Sequence, residues 1–234
     1  AATATATQVV EVSPQQLTVL PTVSEVLSTL QNEAAESLSN AVLQAALERL
    51  QAAPAYTSDK GMRAAVVRLL DVGWQRLDSL EADALVNLLV VAAAWQCFSP
   101  YRVVAWTEQF TAGRSGGNLG PEARVSLLEA GRILQHQQQQ KEQQQQRRQQ
   151  RSRSSSDEDS PPATTEPPPA VLPTGLLVRN LKRVCKQDVA GKLSLRRLAQ
   201  LYSCVEELGL QLTASQVRPF SLLFCPSNTI GLFF

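Results

Sequence analysis

Ser79-Leu-Glu-Ala-Asp-Ala-Leu-Val-Asn-Leu-Leu-Val-Val-Ala-Ala-Ala-Trp95 is an apolar run punctuated like a single helix. Ser79 is placed to cap it, with Glu81 and Asp83 in the first turn, where carboxylates meet the positive end of the helix dipole. Leu80, Ala84, Leu85, Leu88, Leu89, Ala92 and Trp95 recur at spacings of three and four, which defines one broad buried face. Ser99-Pro100 opens a second helix, with a cap residue before a proline whose missing N–H costs nothing at the first helical position. Val103, Val104, Trp106 and Phe110 supply its apolar contacts. The stretch from Ser79 to Phe110 therefore predicts a helical hairpin.

Versions of this hairpin recur. Leu80, Leu85, Leu88 and Trp95 meet Leu193, Leu198, Leu201 and Leu208 at a constant offset of 113. At an offset of 39, Leu80 meets Leu119, Val86 meets Val125, and Leu88-Leu89 meet Leu127-Leu128. Periods of roughly 38 residues span the larger offset three times, and a fixed period of that size marks helical solenoids. A weaker copy covers Leu38 to Leu50, and a second type of helix, at Lys60 to Trp74, Tyr101 to Phe110 and Gly175 to Lys186, precedes each later copy. The alternative is a chance alignment of amphipathic helices rich in Leu and Ala.

Outward from the hairpins, 234 residues allow one large domain or two small ones. A hydrophobic share of 44% with only 5% aromatic residues favours helices stacked on helices, an all-α fold. The apolar runs are too short to span a membrane. The chain starts at Ala1 and its one methionine is Met62, which reads as a processed form, a fragment or an incomplete product; Ala1 to Thr7 is neither an intact signal peptide nor an intact transit peptide.

Residues 1–20 read as an irregular N-terminal tail, 21–135 as helical repeats, 136–173 as a low-complexity linker and 174–234 as a basic set of helical repeats. Thr22-x-x-Glu25 is a capping-box pattern that starts a helix running to about Gln31, and a further helix starts near Ser39 and ends at Pro54. Gly120-Pro121-Glu122 starts the next. The glutamine run from His136 to Arg153 has the propensity to prolong that helix as an exposed stalk, whereas the serine, acid and proline run after it is expected to be disordered. Arg151-Ser-Arg-Ser-Ser-Ser-Asp-Glu-Asp resembles an acidophilic phosphorylation site. If the repeat register holds, the linker is an insertion between the two helices of one hairpin. Thr213 to Pro219 offers one more helix, and apolar Ser221 to Phe234 reads as a truncated end or a surface that docks on a protein partner.

Catalysis finds no footing, and no enzyme activity, cofactor or metal is expected. Cys97, Cys185, Cys204 and Cys225 are too far apart for zinc-finger or C-x-x-C spacing, and the single histidine, His136, opens the glutamine run. The glycine-rich Gly113 to Gly120 stretch follows a helix and lacks the lysine of a P-loop. Asp78, Glu81 and Asp83 cluster at a helix start, where capping explains them.

Charge is uneven beneath a formal net of +1: residues 1–135 carry −4, residues 172–234 carry +5, and the linker cancels. The excess lies in Arg179, Lys182, Arg183, Lys186, Lys192, Arg196 and Arg197. The first four recur at three and four and form one stripe along a helix. Arg196 and Arg197 fall in the first turn of the following helix, where the dipole disfavours cations and calls for a compensating anion. The seven form a candidate RNA-binding surface, each phosphate contact adding salt-dependent affinity; the plain alternative is a solvated face.

The Leu80 to Trp95 segment, followed by Ser99-Pro100-Tyr101 and the Trp106/Phe110 helix, resembles the octotricopeptide repeats of green-algal organelle proteins, which are related to the helical region of FAST-kinase-domain proteins. Leu85-Val86-Asn87-Leu88-Leu89 and Leu198-Ala199-Gln200-Leu201-Tyr202 are similar to the core of that family's first helix. The family's Pro-Pro-Pro-Glu-Trp signature is reduced here to Ser99-Pro100-Tyr101 with Trp106 displaced, and Arg124 stands at a core leucine position. The resemblance implies an α-solenoid in a mitochondrion or chloroplast that binds messenger or ribosomal RNA, as a maturation, stability or translation factor or a ribosome-associated component. Degenerate repeats suit a structural binder better than a base-by-base reader. A protein–protein scaffold of the same fold is the second expectation.

Overall fold

The computed structural model describes residues 12–20, 22–31, 38–52, 60–112, 119–153 and 171–211. The readings of Ala1 to Thr7, the 113–118 loop, the serine/acid/proline run over 154–170, the helix from Thr213 and the apolar 221–234 segment lie outside the described residues. All secondary structure among the described residues is helical, so the fold is all-α.

The chain divides into two compact units, residues 1–80 and 81–234. The first holds α1 (Pro14–Val19), α2 (Val23–Gln31), α3 (Asn40–Ala52) and α4 (Lys60–Gln75). Helix α1 lies in the stretch expected to be irregular. Its six residues are fixed by a Ser13/Gln16 capping box, by Pro14 in the first turn and by complete burial of Leu17 against α3. Helix α2 begins on its expected capping box, with the Thr22 hydroxyl accepting from the Glu25 N–H at 3.3 Å and the Glu25 carboxylate accepting from the Thr22 N–H at 3.4 Å. Arg49 and Arg76 donate to the carbonyls of Leu20 and Leu38, so two part-buried loop carbonyls are satisfied by long side chains.

The second unit holds α5 (Ala82–Ala94), α6 (Pro100–Ala112), α7 (Pro121–Arg153), α8 (Thr174–Val184), α9 (Gln187–Ala190) and α10 (Leu195–Glu207). Helix α7 is the centre of it, packing against α5, α8 and α10. Its first half buries Val125, Leu127, Leu128, Ala130 and Leu134, and Gly131 gives Leu177 of α8 its seat. A Cβ on Gly131 would stand 2.9 Å from Leu177 Cδ2. The glutamine run continues the same helix to Arg153, and its start is tied down: Gln137 donates to the Ala93 carbonyl at 3.0 Å, and Lys141 Nζ lies 5.6 Å from the centre of the Phe98 ring.

Ser79 does not cap α5. The cap is Glu81, with no side-chain capping bond, because Leu77–Ser79 forms a 3₁₀ turn in which the Ser79 hydroxyl donates to the Arg76 carbonyl at 3.1 Å and accepts from Asn40 at 3.1 Å. The other end of α5 closes as a Schellman motif. Cys97 N–H donates to the Ala92 carbonyl at 2.9 Å, Gln96 N–H to Ala93 at 3.2 Å, and Gln96 takes φ 54°. Helix α10 closes identically, with Leu210 N–H on Val205 at 3.0 Å, Gly209 N–H on Glu206 at 3.1 Å, and Gly209 at φ 63°. Both helices have 13 residues, and both follow a buried leucine, Leu80 or Leu193. Caps, lengths and left-handed residues therefore coincide at the offset of 113 that aligns the leucines.

Two buried bonds follow a similar pattern. Trp106 Nε1 of α6 donates to the Leu85 carbonyl of α5 at 2.7 Å, and Asn180 Nδ2 of α8 donates to the Arg124 carbonyl of α7 at 2.8 Å. Leu85 and Arg124 differ by the offset of 39, and the two bonds span 21 and 56 residues of chain.

Candidate nucleic-acid interface

Helix α8 forms because Leu176, Leu177, Leu181 and Val184 make an apolar stripe that seats on α7, and this stripe turns the basic positions outward. Arg179, Lys182, Arg183 and Lys186 are all exposed. Lys182 and Arg183 occupy the last turn of the helix, where its dipole favours cations. The Arg179 Nε donates to the Gly175 carbonyl at 3.2 Å, which orients its guanidinium along the helix. Lys192, in the turn after α9, and Arg196, in the first turn of α10, are exposed as well.

Arg197 is set apart from these six. Its Nε lies 2.7 Å from Glu122 Oε2 and its Nη1 4.0 Å from Glu129 Oε2, both on α7. The compensating anion expected at the start of α10 is thus internal. Ser194 supplies the cap, its hydroxyl accepting from the Arg197 N–H at 3.3 Å. At the far end of α10, Arg132 of α7 binds Glu207 at 2.9 Å. Arg132 and Ser203 together hold the Glu207 carboxyl below its ordinary value, and the bond to Glu207 leaves Arg132 above its own despite burial.

Beneath the basic stripe lies a polar pair that sequence reasoning only half anticipated. Arg124, flagged by its place at a leucine position, is buried, and its Nη1 donates to Asn180 Oδ1 at 3.2 Å while Asn180 returns a bond to the Arg124 carbonyl. Burial, and then the charge of Arg183, push the Arg124 guanidinium below its ordinary value, against the opposing pull of Asp83. The one sequence signal at Asn180 is its place as the polar member of the stripe Leu176, Leu177, Asn180, Leu181, Val184.

Among the described residues no group of three or more His, Cys, Asp or Glu side chains is placed to hold a metal ion, and no described helix is long and apolar enough to cross a membrane. Cys185 and Cys204 are buried, and burial pushes both thiols up to about 11, which keeps them protonated and unreactive at neutral pH. What the exposed lysines and arginines can do chemically is hold phosphate oxygens. No family model, curated protein or solved structure matches the chain.

Proposed function

We propose that this chain is a degenerate helical-hairpin solenoid of the octotricopeptide-repeat type that binds RNA in a mitochondrion or chloroplast and catalyses nothing. The observation that carries the RNA reading is the sorting of the basic residues. Six of the seven, Arg179, Lys182, Arg183, Lys186, Lys192 and Arg196, stand exposed on α8, α10 and the turn between them, while Arg197 is engaged by Glu122 and Glu129. Cations displayed outward on a rigid helical base suit a polyanionic backbone, to which they contribute positioning and salt-dependent affinity rather than base selection.

The repeat reading draws support from the coincident caps of α5 and α10 and from the paired bonds Trp106 to Leu85 and Asn180 to Arg124. On that reading α5 and α6 form one hairpin and α7 and α8 the next, α7 prolonged by the glutamine run and separated from α8 by the serine and proline segment. The exposed Leu195, at 71%, favours a scaffold role as the second reading, because an apolar side chain so placed suits a protein partner.

Lysine acetylation with and without a single-stranded RNA tests the first reading. Lys182, Lys186 and Lys192 are expected to lose reactivity when RNA is bound, while Lys60 and Lys141 keep theirs. Equal reactivity of all five, with RNA in excess, contradicts it and turns attention to the scaffold.

A further inference from the structure

The way α10 sits on α7 leaves one face of α10 turned outward. Helices α7 and α10 run parallel and in register, since Glu122 meets Arg197 at one end and Arg132 meets Glu207 at the other. The face of α7 that receives α10 carries Glu122, Val125, Leu128 and Arg132. Val125 and Leu128 are fully buried, as are their counterparts Val86 and Leu89 in α5. Shifted by 74 residues, that face becomes Arg196, Ala199, Tyr202 and Glu206 of α10. There all four are exposed, Tyr202 at 42%, with Leu195 beside them at 71%. On an α-helix these positions lie on the side opposite Arg197 and Cys204, and so face away from α7.

The charges on this outward face run from base to acid. Arg196 stands at its start and Glu206 at its end, about 15 Å apart along the axis at 1.5 Å per residue. Such a face is complementary to itself when two copies meet antiparallel: each Arg196 then opposes the Glu206 of the other copy, and the small Ala199 of each copy leaves room for the Tyr202 ring of the other beside the two-fold axis. We propose that the outward face of α10 pairs with the same face of a second copy of this chain, in a two-fold, isologous contact. A 13-residue helix covers less than the roughly 800 Å² per partner of a standard interface, so the dimer is weak and concentration-dependent. This inference goes beyond the RNA reading and does not rest on it.

Sedimentation equilibrium of the full chain without RNA, from low micromolar to several hundred micromolar, tests it. A monomer–dimer equilibrium is expected. Arg196→Glu and Glu206→Arg each create two like-charge contacts by symmetry and weaken association by about tenfold or more. The combined R196E/E206R chain restores complementarity and returns to within about threefold of the starting affinity. Ala199→Arg, beside the two-fold axis where the other copy's Tyr202 would seat, abolishes the dimer without touching either charge. A chain that stays monomeric throughout, association unmoved by the single reversals, or a combined variant that remains dissociated would each overturn the proposal, the last by pointing to a partner of different composition.

Discussion

At Arg124 a guanidinium occupies the position that Leu85 holds in α5 and Leu198 in α10, and it is tolerated because Asn180 crosses from α8 to meet it. Asn180→Leu removes one acceptor from the buried Arg124 guanidinium and one donor from the Arg124 carbonyl, so each loses a bond inside the protein, a loss of about 2–3 kcal/mol. Replacing both partners, in R124L/N180L, removes the polar groups together and is expected to recover most of the stability. Urea unfolding of the three chains measures this; a double variant no more stable than N180L alone would show that the pair has another role. The sequence marked Arg124 as out of place, but its partner lies 56 residues away, and no local pattern names a hydrogen bond across that distance. Ser79 shows the converse. A serine before an apolar run is a natural cap, and only the fold reveals that Asn40 and the Arg76 carbonyl use its hydroxyl instead.

Helix α7 shows how much of an element periodicity can read. Its start at Gly120-Pro121-Glu122 and its buried leucines follow from local chemistry, and helical continuation into the glutamine run follows from propensity. What periodicity could not supply is how its flanks are used. Glu122, Glu129 and Arg132 look like ordinary solvated charges, yet they fix both ends of α10. Helix α1 gives periodicity nothing to read, because six residues make too few turns and Leu17 alone anchors them; its only local mark is the Ser13-x-x-Gln16 capping-box pattern with Pro14 in the first turn. The Arg132–Glu207 bridge carries a pH dependence of definite sign. The folded state holds the Glu207 carboxyl below its ordinary value, so its contribution is complete above the ordinary carboxylate range and disappears as pH falls through the folded value. Thermal melts should therefore show the wild type above Glu207→Gln at neutral pH, with the gap closing under acid. A gap that is constant or widens at low pH would assign the bridge no part in stability.

For the whole molecule, the all-α class was legible from an alanine- and leucine-rich, aromatic-poor composition, and the division between Leu80 and Glu81 was not. The charge excess of the C-terminal region was equally visible, but composition treats seven cations alike. Structure separates the six that face solvent from Arg197, which is held against α7. That separation makes the RNA reading open to a direct test. Binding of a single-stranded RNA should be followed across a salt series for the wild type, for the chain with Arg179, Lys182, Arg183 and Lys186 all changed to Ala, and for Arg197→Ala. If the exposed stripe holds phosphates, log affinity falls steeply with log salt in the wild type, the quadruple variant loses affinity together with up to about three units of slope, and Arg197→Ala keeps the slope while losing stability. A wild-type affinity indifferent to salt, or a quadruple variant with an unchanged slope, would contradict RNA binding by this surface.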